Sequence, residues 1–211
     1  AIPDIIEEVP NAKFLLLILP TEYSLDEIRE YARYVKKYPE NLRIIFGVAT
    51  DIFHLAHVSA DMYAALSRWE PFGIMALEAM ACRIPIIATQ VGGLQETVID
   101  VREVPEYGTG VLIEEDNLEQ FKEAAITFFK LAQVSEKVDQ TGSIYADQKT
   151  LQVINQIPDD VLKSRVLLDG NYYEKIRVNC ENRVIYNFRW NIVSEKLLTL
   201  YLKLSNLKSA S

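Results

Sequence analysis

Short apolar runs alternate with amphipathic stretches over the first two thirds of this chain. Apolar runs with few polar breaks are typical of strands that are covered on both faces of a sheet. Stretches with an apolar residue every third or fourth position predict helices between those strands. The pattern predicts strands at 12–19, 42–47, 62–66, 84–89 and 110–113, and helices at 24–38, 51–60, within 67–80 and at 117–132.

This alternation predicts an α/β fold, a Rossmann-like parallel sheet with helices on both faces. In such sheets ligands bind beyond the carboxyl ends of the strands, where the connecting loops gather. Three predicted loops, 47–50, 67–73 and 90–94, follow strands and belong to that edge. We therefore expect the chemistry of the protein in these loops.

The last third of the chain has a less regular pattern. Residues 134–170 mix polar and apolar positions without a clear period, and we expect short helices and loops there. Two helical patterns return in the segment 171–211. We predict one domain over residues 1–211, in which these last helices complete the fold.

Composition and charge narrow the function classes. The chain of 211 residues is 49% hydrophobic and 25% charged, which is ordinary for a globular protein. Its net charge of −8 argues against non-specific nucleic-acid binding, which needs a basic surface. We find no apolar run long enough to span a bilayer and no basic leader before an apolar segment, and we expect a cytoplasmic protein.

Cysteine and histidine are too scarce to suggest a metal site. Cys82 and Cys180 make neither a disulfide framework nor a zinc spacing, and they fit reduced, buried thiols. His54 and His57 stand three positions apart, so they share a helical face. A structural role is favoured over a metal pair for these two histidines, because no third ligand stands near them.

The segment SRWEPFGIMALEAM, residues 67–80, contains a carboxylate where none is expected. Its apolar run should be buried, yet Glu78 lies within it, and buried carboxylates need a partner. Arg83, five positions further on, is poorly placed for a pair on the same helix. A ligand hydroxyl would satisfy Glu78, although the side chain could also reach solvent or meet a lysine from another helix. Glu70, at the entrance to the run, is a less specific signal.

Backbone groups in two loops add to this candidate site. Gly73 allows a close approach of backbone to a ligand, and a helix that begins near it would leave the amides of Phe72, Gly73 and Ile74 free to bind phosphate or sugar oxygens. Gly92 and Gly93 follow an apolar strand, and they allow either the approach of a substrate or simply a tight turn. Neither a GxGxxG nor a GxxxxGK[ST] motif is present.

Together these segments resemble the C-terminal half of retaining GT-B glycosyltransferases, the group of the glycogen and starch synthases. SRWEPFGIMALEAM resembles the family's E-x7-E signature, with its two glutamates at Glu70 and Glu78. ACRIPIIATQVGGLQETV and GTGVLI follow at the expected places, and the resemblance covers roughly 1–133 and 171–205. The segment 134–170 is longer than the family's usual link. The second glutamate favours the archaeal type of glycogen synthase over many bacterial enzymes.

The resemblance implies a role for each site residue. Glu78 would bind the ribose hydroxyls of the donor nucleotide, and Glu70 would be the catalytic residue beside the donor sugar. The remaining donor-binding positions would be the amides of Phe72, Gly73 and Ile74, the loop of Gly92, Gly93 and Leu94, and the backbone of Val48 beside the base. Because Val48 stands where bacterial relatives place a tyrosine, the choice between ADP-glucose and UDP-glucose stays open.

The implied reaction is glucosyl transfer to an α-glucan with retention and without a metal or another cofactor. The resemblance also implies an acceptor-binding N-terminal domain and a basic pair, an arginine and a lysine, that precede residue 1. We therefore expect these 211 residues alone not to transfer sugar. The alternatives are another acceptor, a non-catalytic nucleotide-sugar-binding domain, and a scaffold that binds no nucleotide. The oligomeric state is left open.

Overall fold

The computed structural model describes residues 1–18, 25–138 and 148–208 of the chain. Strands and helices alternate up to residue 135, and helices follow from there, as the sequence pattern predicts. The strands are β1 Phe14–Ile18, β2 Leu42–Phe46, β3 Tyr63–Ala65, β4 Ile86–Thr89 and β5 Gly110–Ile113. The helices are α1 Ile2–Glu8, α2 Leu25–Lys37, α3 Thr50–Val58, α4 Ile74–Ala81, α5 Leu94–Thr97, α6 Leu118–Ser135, α7 Gln148–Asn155, α8 Asp160–Leu168, α9 Tyr172–Asn187 and α10 Trp190–Lys208.

The described strands are all parallel, but they form two sheets. β1 pairs with β2, and β4 lies between β3 and β5 in a second sheet. No ladder joins β1 to β3 among the strands that the structure describes. The α/β class with parallel strands is confirmed, whereas the expectation of one continuous sheet is not met.

Burial differs between the two sheets. Every residue of β4 is buried, as a strand covered on both faces requires. In β1 and β2 the prediction of complete cover is wrong, since Leu15 and Phe46 are 47% and 41% exposed. The three-stranded sheet therefore lies at the centre of the core, and β1 and β2 lie nearer the surface.

One hydrophobic core joins this central sheet to the helices. α6 packs against β4 and β5, and it also contacts α1, α7 and α9. Its first turn is capped by Asn117, whose side chain accepts a hydrogen bond from the amide of Gln120, as the sequence predicts. The helical residues Ile154, Leu162 and Ile176 are buried in the same core.

Short helices are confirmed in the described part of 134–170, where α7 and α8 lie. Residues 139–147, within that segment, are outside the described ranges. α9 packs along α4, and α10 follows it with most of its side chains exposed. α9 is thus the element that brings the last third of the chain to the predicted site.

Candidate functional site

Glu70 holds the start of α4 through its side chain. Gly73 adopts a left-handed conformation with φ of 86°, and α4 begins at the next residue. The Glu70 Oε1 atom accepts a hydrogen bond of 2.9 Å from the Gly73 amide. This carboxylate therefore acts as a cap for a helix end whose amides would otherwise lack acceptors. In the described structure the Gly73 amide is not free for a ligand.

Glu78 lies on α4 between side chains that are buried. Leu77 and Ala79 are 9% and 0% exposed, while Glu78 is only partly buried. Its carboxylate accepts no hydrogen bond from any residue that the structure describes, and Arg83 instead pairs with Glu174 and Glu181. The carboxylate thus keeps its acceptor capacity for a ligand.

The charge of Glu78 acts on three neighbouring groups. The buried His57 has its pKa lowered by desolvation, and the charge of Glu78 opposes that change. Desolvation raises the pKa of Tyr63, and the charges of Glu70 and Glu78 raise it further. The pKa of Cys82 is raised by desolvation and then by Glu78. An unpaired negative charge therefore stands beside a histidine and a tyrosine that both favour their neutral forms.

The two glycines of the second loop pack against the first loop. A Cβ atom on Gly92 would lie 2.0 Å from the Glu70 carbonyl oxygen, and one on Gly93 would lie 2.3 Å from the Phe72 Cα. The Gly93 amide donates to that same Glu70 oxygen at 2.8 Å. Contact between the two loops, together with the turn in which Gly92 has φ of 44°, is thus sufficient to explain the glycines, and the approach of a substrate is not needed to account for them.

Among the backbone amides of these six site residues, three donate no described hydrogen bond and three donate one. In the described residues the amides of Phe72, Ile74 and Gly92 donate no hydrogen bond. The Gly73 and Gly93 amides bind Glu70, and the Leu94 amide binds the Val91 carbonyl oxygen at 3.1 Å. Leu94 is 1% exposed, so its side chain packs in the hydrophobic core and anchors the loop there.

Val48 belongs to a different part of the structure. It is partly buried and follows β2 in the two-stranded sheet. No described hydrogen bond or ring contact joins it to the two loops around Glu70 and Gly92. The structure thus brings the loops 67–73 and 90–94 into contact. Val48, which was expected to line the same site, has no described contact with either loop.

Several residues that support these loops were not predicted from the sequence. The Thr89 hydroxyl, at the end of β4, donates to the Ser67 carbonyl oxygen, and Arg68 pairs with Asp116 at 3.1 Å. From α9, Arg183 donates to main-chain carbonyl oxygens of α5, and Phe188 contacts Phe72. Each contact joins residues that are more than twenty positions apart, so no local spacing could have indicated it.

A separate cleft of about 560 Å³ lies between α1, α6 and the end of α7. Asp4, Glu7, Glu8, Lys122 and Gln156 are among its lining residues, and none of the predicted site residues lines it. Within the described residues, no three side chains of His, Cys, Asp or Glu come together as metal ligands would. No described helix is both long and apolar enough to cross a membrane.

Comparison with known proteins shows the family. The family model described as "Glycosyl transferases group 1" matches residues 27–143, which is more than half of the chain. The chain belongs to the group 1 glycosyltransferases, and the matched range contains all the predicted site residues. Its sequence and fold make it a C-terminal domain of the GT-B type.

The most similar relatives include glycogen synthases. A glycogen synthase of Hydrogenovibrio crunogenus is 33% identical over 102 residues, which are 47% of this chain and 19% of that protein. A probable glycogen synthase of Methanocaldococcus jannaschii is 28% identical over 145 residues, 64% of this chain and 27% of that protein. The chain thus spans about a quarter or less of the length of these two relatives.

A solved structure shares the fold over almost the whole chain. The sucrose-phosphate synthase of Thermosynechococcus elongatus aligns with a TM-score of 0.59 and 24% identity. The alignment covers 99% of this chain and 41% of that one. It includes the helices after residue 134, so the fold match extends beyond the range of the family model.

Proposed function

We propose that this chain binds the nucleotide-sugar donor, ADP-glucose or UDP-glucose, for a retaining transfer of glucose to an α-glucan. The observation that carries the proposal is the carboxylate of Glu78, which is partly buried and accepts no described hydrogen bond. Such a carboxylate can accept hydrogen bonds from the hydroxyl groups of a ligand without losing a described partner. The similarity to proteins named glycogen synthase supports glucose as the sugar and an α-glucan as the acceptor.

In this proposal Glu78 accepts hydrogen bonds from the two ribose hydroxyls of the donor. Hydrogen bonds to an ionised acceptor are about twice as strong as neutral ones, so this contact would fix the nucleotide in the site. The free amides of Phe72 and Ile74 at the start of α4, with that of Gly92, would bind phosphate and sugar oxygens. Gly73 would join them only if Glu70 turned away from its amide, and Gly93 and Leu94 would border the sugar through packing.

The chemistry we propose needs no metal or further cofactor. As the bond between glucose and the diphosphate breaks, positive charge develops on the sugar ring. The leaving diphosphate takes the proton of the acceptor hydroxyl, and that oxygen attacks the same face of the sugar. The carboxylate of Glu70 would stabilise the positive charge, and its bond to the Gly73 amide holds it in place beforehand. We place the acceptor-binding site outside these residues, and the protein in the cytoplasm.

Calorimetric titration of the chain with ADP-glucose and UDP-glucose tests the proposal. We expect one donor to bind, and we expect Glu78→Ala to weaken its affinity by at least about tenfold, since a charge-assisted hydrogen bond contributes about 1.5–3 kcal/mol. The matched control is Glu103→Ala, which removes an exposed carboxylate from the turn before β5. Absence of binding by the unaltered chain, or equal affinity in the Glu78 variant, would contradict the proposal.

A further inference from the structure

Arg183, on α9, binds the end of the short helix that follows the glycine loop. Its Nη2 atom lies 2.7 Å from the Glu96 carbonyl oxygen, and its Nε atom lies 3.3 Å from that of Thr97. These carbonyls end α5 and have no partner further along a helix. A cation at this place also interacts favourably with the negative end of the helix. Arg183 thus fixes the position of α5 and of the glycine loop before it.

The same side chain is linked to the loop that carries Glu70. The Arg183 guanidinium lies over the ring of Phe188, 5.2 Å from its centroid. That ring meets Phe72 edge to face, with 6.0 Å between the centroids and an angle of 74° between the planes. Arg183 is therefore linked to the loop 90–94 through α5, whose last carbonyl oxygens it binds, and to the loop 67–73 through a single aromatic residue.

The hydrogen bonds that join the two loops depend on this arrangement. The Gly93 amide donates to the Glu70 carbonyl oxygen at 2.8 Å, and the Thr97 amide donates to the Gly93 carbonyl oxygen at 3.0 Å. A movement of α5 would therefore be transmitted through Gly93 to Glu70. No acidic side chain is bonded to Arg183 in the described residues, so its direct polar partners are the two carbonyl oxygens.

We infer that Arg183 is a positioning residue for the donor site. It holds the loops 67–73 and 90–94 in the arrangement in which the amides of Phe72 and Gly92 donate no described hydrogen bond and Glu70 accepts from Gly73. The inference rests on the proposed function, because it assigns Arg183 a part in binding the same nucleotide-sugar donor. Arg183 itself does not contact the nucleotide sugar, and it acts through α5 and Phe188.

The test uses Arg183→Met, which keeps the length of the side chain and removes its hydrogen-bond donors. The matched control is Arg177→Met, since Arg177 lies on the same helix and donates its Nε to a main-chain carbonyl oxygen, that of Arg83, at 3.0 Å. Arg83 lies beyond the far end of α4, away from the loops. Both variants lose a bond to a main-chain carbonyl oxygen, and Arg177→Met also loses an ion pair with Glu174, but only Arg183→Met loses its bonds near the site.

Two measurements are made on the unaltered chain and both variants. Amide hydrogen exchange follows Gly93, Thr97 and Val98, and calorimetry follows ADP-glucose and UDP-glucose. In Arg183→Met we expect exchange of these amides to rise about tenfold or more and donor affinity to fall about tenfold, with neither change in Arg177→Met. Arg183→Lys should restore part of both, because one ammonium can reach one of the two carbonyls.

The outcomes separate this inference from the proposed function. If the unaltered chain binds neither donor, the proposed function fails and the part of Arg183 in donor binding fails with it, while the exchange data still report on the loops. If the chain binds a donor and Arg183→Met binds it equally well, the inference alone is overturned. Equal effects of Arg177→Met and Arg183→Met would also overturn it, because they would indicate a general loss of stability.

Discussion

Gly92→Ala is the change that most directly tests the contact between the two loops. Gly92 has φ of 44°, a left-handed conformation that costs a residue with a Cβ about 1–2 kcal/mol. The new Cβ would also lie 2.0 Å from the Glu70 carbonyl oxygen, whereas real contacts of this kind are essentially never under 3.0 Å. The loops must then separate by about 1 Å, which would break the 2.8 Å hydrogen bond from Gly93 to Glu70.

Together these two costs predict a loss of about 3 kcal/mol in the free energy of unfolding, since a broken hydrogen bond in a partly buried place costs about 1–3 kcal/mol. Urea denaturation followed by circular dichroism measures that loss. Gly47→Ala is the control, because Gly47 is exposed and has a similar left-handed conformation, with φ of 65°. If the two variants lose the same stability, within about 0.5 kcal/mol, the close contact between the loops is refuted.

Two further predictions concern the titration of His57 and the ion pair between Asp100 and Arg102. Burial lowers the pKa of His57 below its ordinary value of 6.5. As the pH falls, the imidazole is therefore protonated in the unfolded chain before it is protonated in the folded one. The free energy of unfolding should then fall below about pH 6.5, by at most about 1.4 kcal/mol per pH unit. Urea denaturation between pH 5 and 7 measures this loss, which should be smaller in His57→Leu than in the unaltered chain. The control is His54→Leu, which replaces an exposed histidine and should leave the loss unchanged. The same dependence on pH in both variants would contradict the prediction. Asp100, 5% exposed, binds the Arg102 guanidinium at 2.6 Å and the Leu112 amide at 2.9 Å. Asp100→Ala should therefore cost about 3 kcal/mol, and Arg68→Ala, which breaks an exposed pair with Asp116, less than about 1 kcal/mol; similar losses in urea would show that burial does not matter here.

The order of elements was predictable because each one has a local signature. The run at 84–89 is apolar up to Thr89, and all its residues, including those of β4, are buried. The runs at 12–19 and 42–47 are also mostly apolar, with one basic residue each, and β1 and β2 remain partly exposed. An apolar run reports the preference of its own side chains, and it does not report which other segments lie beside it. For the same reason the sequence could not indicate that the described strands form two sheets.

The candidate site was predictable where a residue type contradicts its surroundings. Glu78 is such a residue, since it is a carboxylate in an apolar helix whose other residues offer no side-chain hydrogen-bond donor. Arg183 is not, because an arginine on a polar helix is ordinary in composition. Its partners Glu96 and Thr97 lie 87 and 86 positions away, and only the packing of α9 against the site brings them together. Positioning residues of this kind become visible only in three dimensions.

The two glutamates of the signature have different structural status, and the difference bears on what each can do. The position of Glu70 is fixed by two hydrogen bonds, since its Oε1 atom accepts from the Gly73 amide and its carbonyl oxygen accepts from the Gly93 amide. Its charge is therefore already oriented before any ligand arrives, as electrostatic stabilisation of a developing charge requires. Within the described residues Glu78 has no such bonds, so a ligand that donates to it displaces no described protein donor. Orientation in advance suits a catalytic role, and unused acceptor capacity suits a binding role, which is the division of roles proposed for this site.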